Sequence, residues 1–293
     1  MTHHRTVSVN GLDIFYREAG NPQNPSILLL HGFPTSSFMF RNLIPALAEK
    51  YHLVAPDFPG FGQSSMPGVE DYTYTFDQLS ETIDGFIDAI GLEKYTLYVM
   101  DYGAPVGYRI ATRRPEKVEG LIVQNGNAYK QGMEDNFWAP IKTFWANRND
   151  AAAIEGAAVM VRPESTRWQY QDGVKDLTLV SPDTWTHDQA LLDRPGNRDI
   201  QLALFYDYQN NPPLYPQWQE YFRTYQPPAL VVWGKNDQIF VEAGAHPYKR
   251  DLKNVDFHLL DTGHFALETH GAEIASLIDG FLTREVAPKY NRA

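Results

Sequence analysis

Short apolar runs alternate with amphipathic stretches along the first 125 positions. Residues 6–9 and 14–18 alternate in polarity on either side of Asn10-Gly11, a pattern that predicts a hairpin. A polar turn over 21–25 leads into residues 26–30 (SILLL), a short buried strand that runs into His31-Gly32-Phe33-Pro34. Phe40, Leu43, Ile44 and Leu47 recur at helical spacing and predict a helix over 38–50. Residues 51–55 (YHLVA) predict the next strand, and 56–65 form a loop rich in Pro and Gly. Phe76, Leu79, Ile83, Phe86, Ile87 and Ile90 share one face of an amphipathic helix over 76–90, with Gly91 as its stop. Residues 95–100 (YTLYVM) read as a strand buried on both faces, followed by a helix over 106–114 and a strand over 120–124. Strand and helix alternating in this way predict a mostly parallel sheet with short crossovers.

The rhythm stops after Asn125. Residues 128–225 contain no clear buried strand but carry many aromatics, several prolines and helical patches at 137–145 and 200–208. They read as an inserted helical lid. The strand pattern resumes at 229–233 (ALVVW) and 256–260 (DFHLL), and residues 274–283 predict a closing helix. The expected fold is therefore α/β: a central sheet flanked by helices, with a core in two parts, 1–127 and 226–293, and a lid between them.

Composition narrows the function. A chain of 293 residues with 43% hydrophobic and 21% charged residues can bury one large core. No apolar run approaches the roughly 20 residues of a membrane helix, and the N-terminal stretch lacks the apolar segment of a secretory signal. A cytoplasmic location is the expectation, and a homodimer is compatible with it. The net charge of −11 argues against nucleic acid or an anionic membrane as partner. With no cysteine, disulfides, thiol catalysis and zinc–thiolate sites are excluded. His3-His4 and His246 lack metal-ligand spacing, and Gly60-Phe61-Gly62 is too short for a dinucleotide fingerprint, so no metal or cofactor is expected. Aromatics at 13% suit a pocket for a small apolar molecule.

Three polar residues fall at the C-terminal ends of predicted strands: Asp101, Asp237 and His264. Parallel sheets bind ligands outside those ends. Asp101 is followed by Tyr102, Gly103, Ala104 and Pro105 at a strand-to-helix turn, the setting of a nucleophile elbow. Any one of the three reads alone as a capping carboxylate or a surface histidine. Together, in the order nucleophile, acid, histidine, they read as a triad. Asp101 would attack carbon and form an ester, and His264, oriented by Asp237, would activate the water that hydrolyses it. The backbone N–H groups of Phe33 and Tyr102 are the candidate oxyanion hole. Glu268, four residues after His264, reads as a cap or surface charge.

His31–Pro34 in sequence, the 57–64 loop, the Asp101 elbow, residues 233–237 and Gly263-His264 resemble the α/β-hydrolase superfamily. More narrowly they resemble its Asp-nucleophile branch of epoxide hydrolases and of haloalkane, haloacetate and fluoroacetate dehalogenases. The resemblance implies that lid side chains stabilise the leaving atom. Tyr208-Gln209-Asn210 is similar to the stretch that carries the second lid tyrosine of epoxide hydrolases, which implies Tyr208 as proton donor, with Tyr206 and Tyr215 as rivals. Trp145 is the nearest counterpart of the first lid donor, and its indole N–H can hydrogen-bond but cannot act as an acid at neutral pH. His31 is a further candidate for the substrate pocket. Haloalkane dehalogenases usually have Trp after the nucleophile and Asn after His-Gly, where this chain has Tyr102 and Phe33. Fluoroacetate dehalogenases carry two arginines where this chain has Tyr102 and Pro105. Val99 replaces the small residue usual two positions before the nucleophile, so a crowded elbow is expected. The resemblance thus points to hydrolysis of small to medium apolar epoxides to vicinal diols. Carbon–halogen hydrolysis on the same triad is the first alternative, and a non-catalytic binder of small hydrophobic ligands is the second.

Overall fold

Asn10 and Gly11 both take left-handed backbone angles, φ 51° and 84°, as the predicted hairpin requires. They join β1 (His3–Val9) to β2 (Leu12–Ala19) in the computed structural model, which describes residues 1–290. Six further strands follow: β3 (Ser26–Leu30), β4 (His52–Pro56), β5 (Tyr95–Met100), β6 (Val118–Gln124), β7 (Ala229–Gly234) and β8 (Val255–Leu260). They form one sheet in the order β1-β2-β4-β3-β5-β6-β7-β8. Only the pairs β1–β2 and β2–β4 are antiparallel.

Side chains alternate between the two faces of each buried strand, and each face builds its own core. Leu28, Leu30, Leu97, Val99, Leu121 and Val123 pack on one side, against α2 (Phe76–Ala89) and α3 (Gly103–Arg113). Ile27, Leu29, Tyr98, Met100 and Ile122 point the other way, toward α1 (Leu43–Leu47) and a long helix near the C-terminus. Each fully buried aliphatic side chain contributes on the order of 1.5–3 kcal/mol.

Three helix boundaries differ from expectation. The helix expected over 38–50 is divided into a 3₁₀ turn, Ser37–Phe40, and α1, because Pro45 has no N–H to continue a ladder through that stretch. α3 starts at Gly103, three residues earlier than the pattern at 106 indicates. Pro105 is accommodated in its first turn, where N–H groups lack intrahelical partners in any case. The closing helix begins at Ala266 rather than 274, with non-helical backbone at His270. The bulk of Val99 is accommodated by Gly107 on α3, where a Cβ would come within 2.7 Å of Val99 Cγ1.

Between β6 and β7 the regular elements are all helices and 3₁₀ turns, joined by short loops. α4 (Asp135–Ala146), α5 (Ala151–Ala158), α6 (Pro163–Gln171), α7 (Pro182–Leu192) and α8 (Asn197–Asp207) precede α9 (Tyr215–Tyr225), which packs against α3. α10 (Tyr248–Asp251) follows β7, and α11 (Ala266–Glu285) closes the sheet's second face. Among the described residues no helix is long and apolar enough to cross a membrane.

Candidate active site

β5 ends in the middle of the sheet, and the chain reverses into α3 through Asp101 at φ 49°. A non-glycine residue in this region is uncommon, and here it lifts the carboxylate clear of the strand end. Asp101 Oδ1 accepts the backbone N–H of Phe33 at 2.7 Å and of Tyr102 at 2.6 Å. The Phe33 loop comes this close because residue 32 is glycine: a Cβ there would lie 2.2 Å from Asp101 Cβ. The other oxygen, Oδ2, is 3.6 Å from His264 Nε2.

His264 follows β8, and its Nδ1 lies 2.7 Å from Asp237 Oδ2. A carboxylate can only accept, so Nδ1 carries the proton and Nε2 is directed at Asp101. Asp237 is itself fixed. Its Oδ1 accepts the Ile239 N–H at 2.7 Å, and its Oδ2 accepts Asn125 Nδ2 at 2.7 Å. Asn125 Oδ1 in turn accepts the Gly234 N–H at 2.9 Å, which links the ends of β6 and β7 behind the acid. Sequence reasoning assigned Asn125 nothing. Its signal was an Asn, the residue that best tolerates left-handed backbone, directly after a buried strand, and its φ is 43°.

Burial raises the Asp101 carboxyl from its ordinary 3.8 to about 6, against the opposing pull of His264 and the two N–H groups. For His264, burial favours the neutral ring, but Asp237 and Asp101 outweigh it and leave its pKa raised. Tyr208, in the turn after α8, is raised well above 10, by burial first and then by Tyr215 and Asp101.

A cavity opens on Asp101, walled mainly by Phe33, Trp138, Phe205 and Ile239. Its polar lining comprises Asp101, Tyr102, Tyr208 and Gln169. Gln169, on α6, carried no sequence signal. It is 2% exposed, and its Nε2 has no hydrogen-bond partner. Among the described residues no group of three or more His, Cys, Asp or Glu side chains is placed to hold a metal ion.

A family profile described as the alpha/beta hydrolase fold matches residues 25–271. The chain belongs to the α/β-hydrolase family. An uncharacterised hydrolase of Saccharomyces cerevisiae is 47% identical over 277 residues, covering 94% of this chain and 95% of its own length. A haloalkane dehalogenase of Bradyrhizobium diazoefficiens is 39% identical over 117 residues, 40% of this chain and 37% of that protein. The solved structure of an epoxide hydrolase, CorEH, superimposes with a TM-score of 0.76 at 20% identity, covering 97% of this chain and 99% of that one, and so shares the fold.

In this α/β-hydrolase the structure brings Asp101, Asp237, His264 and the N–H groups of Phe33 and Tyr102 to one point, with Tyr208 on the same cavity. The other candidate residues sit elsewhere. Trp145 donates its indole N–H to Phe205 O at 2.7 Å and does not line the cavity. Two turns earlier on α4, Trp138 does line it, but its N–H is bonded to Ile239 O at 2.8 Å. Tyr206 faces outward, with the Arg148 guanidinium 4.4 Å from its ring centre. Tyr215 lies behind Tyr208, where its hydroxyl accepts Asn127 Nδ2 at 3.0 Å. His31 does not face the cavity either: Nδ1 lies 3.0 Å from Gly32 O and Nε2 accepts the Phe58 N–H at 3.0 Å. Burial lowers its pKa to about 4, so it acts as a neutral brace between two loops. Glu268 is neither a second acid nor a free surface charge: it holds Arg41 with both oxygens, at 3.0 and 2.7 Å.

Proposed function

We propose that this α/β-hydrolase opens small apolar epoxides to vicinal diols through an ester on Asp101. The observation that carries this reading is the pairing, on one apolar cavity, of the Asp101 carboxylate with the Tyr208 phenol while both nearby indole N–H groups are committed to backbone carbonyls. An epoxide oxygen needs a proton as its C–O bond breaks. A departing halide needs only N–H or O–H donors; the two tryptophans offer it none, which leaves it the Tyr208 hydroxyl and the Gln169 amide.

The chemistry follows from the two oxygens of Asp101. Oδ2 attacks the less hindered ring carbon, the C–O bond breaks toward oxygen, and Tyr208 gives that oxygen its proton. Oδ1, held by Phe33 and Tyr102, becomes the carbonyl oxygen of the ester. Its hydrolysis then places the tetrahedral oxyanion in the same hole. Esterification removes the negative charge of Asp101, which had raised both Tyr208 and His264. Tyr208 thereby becomes a stronger acid as the alkoxide forms, and His264 becomes a free base as water is needed. His264 Nε2 takes a proton from water, hydroxide adds to Asp101 Cγ, and collapse releases the diol. His264 returns its one added proton to the leaving oxygen, and the second proton of the water, left on the Asp101 carboxyl, passes to the Tyr208 phenolate, so that carboxylate, phenol and neutral histidine are all restored. One water is consumed for each epoxide.

In this reading the helical segment between β6 and β7 is a lid that selects the substrate. Carbon–halogen hydrolysis on the same residues is the second reading, and the local similarity to a haloalkane dehalogenase favours it. Intact mass of a His264→Gln variant, which alkylates but cannot hydrolyse, separates the two. An adduct equal to the whole epoxide is the expected result. An adduct equal to a haloalkane less hydrogen halide replaces the proposal with the second reading. No adduct from either panel overturns both.

A further inference from the structure

Two side-chain groups on the cavity wall are left without a task by the mechanism above, the Tyr102 hydroxyl and the Gln169 amide, and both are buried without a partner. Of the two, the amide is the one presented by the helical segment between β6 and β7. It sits near the C-terminal end of α6, whose position over the site is fixed by the next residue. The Tyr170 ring stacks on Phe265 at 4.0 Å, adjacent to His264, and its hydroxyl donates to the buried Asp188 of α7. Gln169 is thus held against the cavity by the helix that carries it, and rearrangement of a mobile loop is not needed to bring it there. Its Nε2 has no partner within the protein, although the residue is 98% removed from solvent. A buried amide N–H left unpaired costs stability, so the group gains most from whatever acceptor enters the cavity. On the reading above, the acceptor that an epoxide or haloalkane brings into this cavity is its leaving atom.

We propose that the Gln169 amide N–H is the second hydrogen-bond donor to that leaving atom, alongside the Tyr208 hydroxyl. This rests on the reading of Asp101 as nucleophile. An amide does not surrender its proton at neutral pH, which makes the two donors unequal. Gln169 orients the leaving atom and stabilises the charge that develops on it, whereas Tyr208 alone transfers a proton. The atom balance of ring opening is unchanged, because no bond to Gln169 forms or breaks. The arrangement favours substrates with one compact acceptor at the Asp101 end and an apolar remainder against Phe33, Trp138, Phe205 and Ile239.

The test uses Gln169→Leu and Gln169→Glu, each made with His264 intact and with His264→Gln. The Glu variant keeps the side chain's shape but, once ionised, offers no donor and repels the developing negative charge. In the His264→Gln background, adduct growth on terminal epoxides and on haloalkanes is followed by intact mass. With His264 intact, single-turnover decay of the ester is followed. Both Gln169 variants are expected to slow alkylation roughly 10- to 100-fold and to leave ester decay within about threefold. Alkylation at the unsubstituted rate in the Glu variant overturns the inference, as does equal slowing of both steps, which marks a packing role. If His264→Gln with native Gln169 forms no adduct from either panel, the nucleophile reading itself fails and this inference falls with it. If it forms adducts only from haloalkanes, the epoxide reading fails, and the Gln169 variants still decide whether the amide serves the leaving atom.

Discussion

Asp101→Asn should make the protein inactive and more stable, and the gain should depend on pH. The buried carboxyl is raised from 3.8 to about 6, so its charged form is disfavoured in the folded state. Below pH 3.8 the carboxyl is protonated in both the folded and the unfolded chain, and the substitution changes little. As pH rises from 3.8 to 6, the unfolded chain ionises freely while the folded one resists, and native stability falls. Above 6 the loss is complete. At 1.36 kcal/mol for each tenfold difference in acidity, it amounts to about 3 kcal/mol. Asparagine keeps the shape and an Oδ1 to accept the Phe33 and Tyr102 N–H groups, so the charge is the main thing removed. About 3 kcal/mol is an upper limit, because His264 also loses a charged neighbour. Urea unfolding of both proteins between pH 4 and 8, with intact mass to verify that the asparagine has not deamidated, measures the difference. A variant less stable than the native protein at pH 7.5, or a difference that does not grow with pH, refutes the reasoning.

The same raised carboxyl sets the acid limb of catalysis. The attacking form is ionised, so kcat/KM should fall as pH drops through about 6, not through 3.8, and a profile flat from pH 4.5 to 8 would exclude Asp101 as the group that attacks. Trp145→Phe removes a hydrogen bond to Phe205 O but touches no substrate. It should cost about 1 kcal/mol in urea unfolding and leave kcat/KM within about twofold; a tenfold activity loss at unchanged stability would return Trp145 to the pocket.

The strand ends were legible because an apolar run that stops at a polar residue is a one-dimensional signal. The run Tyr95–Met100 ends at Asp101, and the structure places the reversal of chain direction there. The helical segment between β6 and β7 was less legible because helical spacing identifies a face but not which turn meets the cavity. Trp138 and Trp145 are seven residues apart on one face of α4, with rings 6.2 Å apart, and only the earlier one lines the cavity. Gln169 was invisible for a different reason. It lies in PESTRWQYQ, a stretch polar enough to read as solvated, and its burial arises only from packing by distant residues. His31 misled in the opposite direction. A histidine beside the oxyanion loop suggests chemistry, yet both of its ring nitrogens are occupied by backbone groups.

The hydrogen bond between Asn127 and Tyr215 has a consequence for how such a molecule can change over generations. β6 and β7 are parallel neighbours, so the chain between them must return to the opposite end of the strands, and α9 makes that crossing. Asn127 Nδ2 and the Tyr215 hydroxyl meet at 3.0 Å, which joins the two ends of everything in between. The helices α4–α8 are therefore an excursion from a connection that is already complete. Extending such an excursion is cheap, about 0.6 kcal/mol for each doubling of its length. Insertions, deletions and wholesale replacement of the substrate-facing wall leave the sheet, and the residues at its strand ends, in place. Asp101, Asp237 and His264 are inherited on the stretches that build the sheet, and the cavity-facing Gln169 and Tyr208 on the excursion.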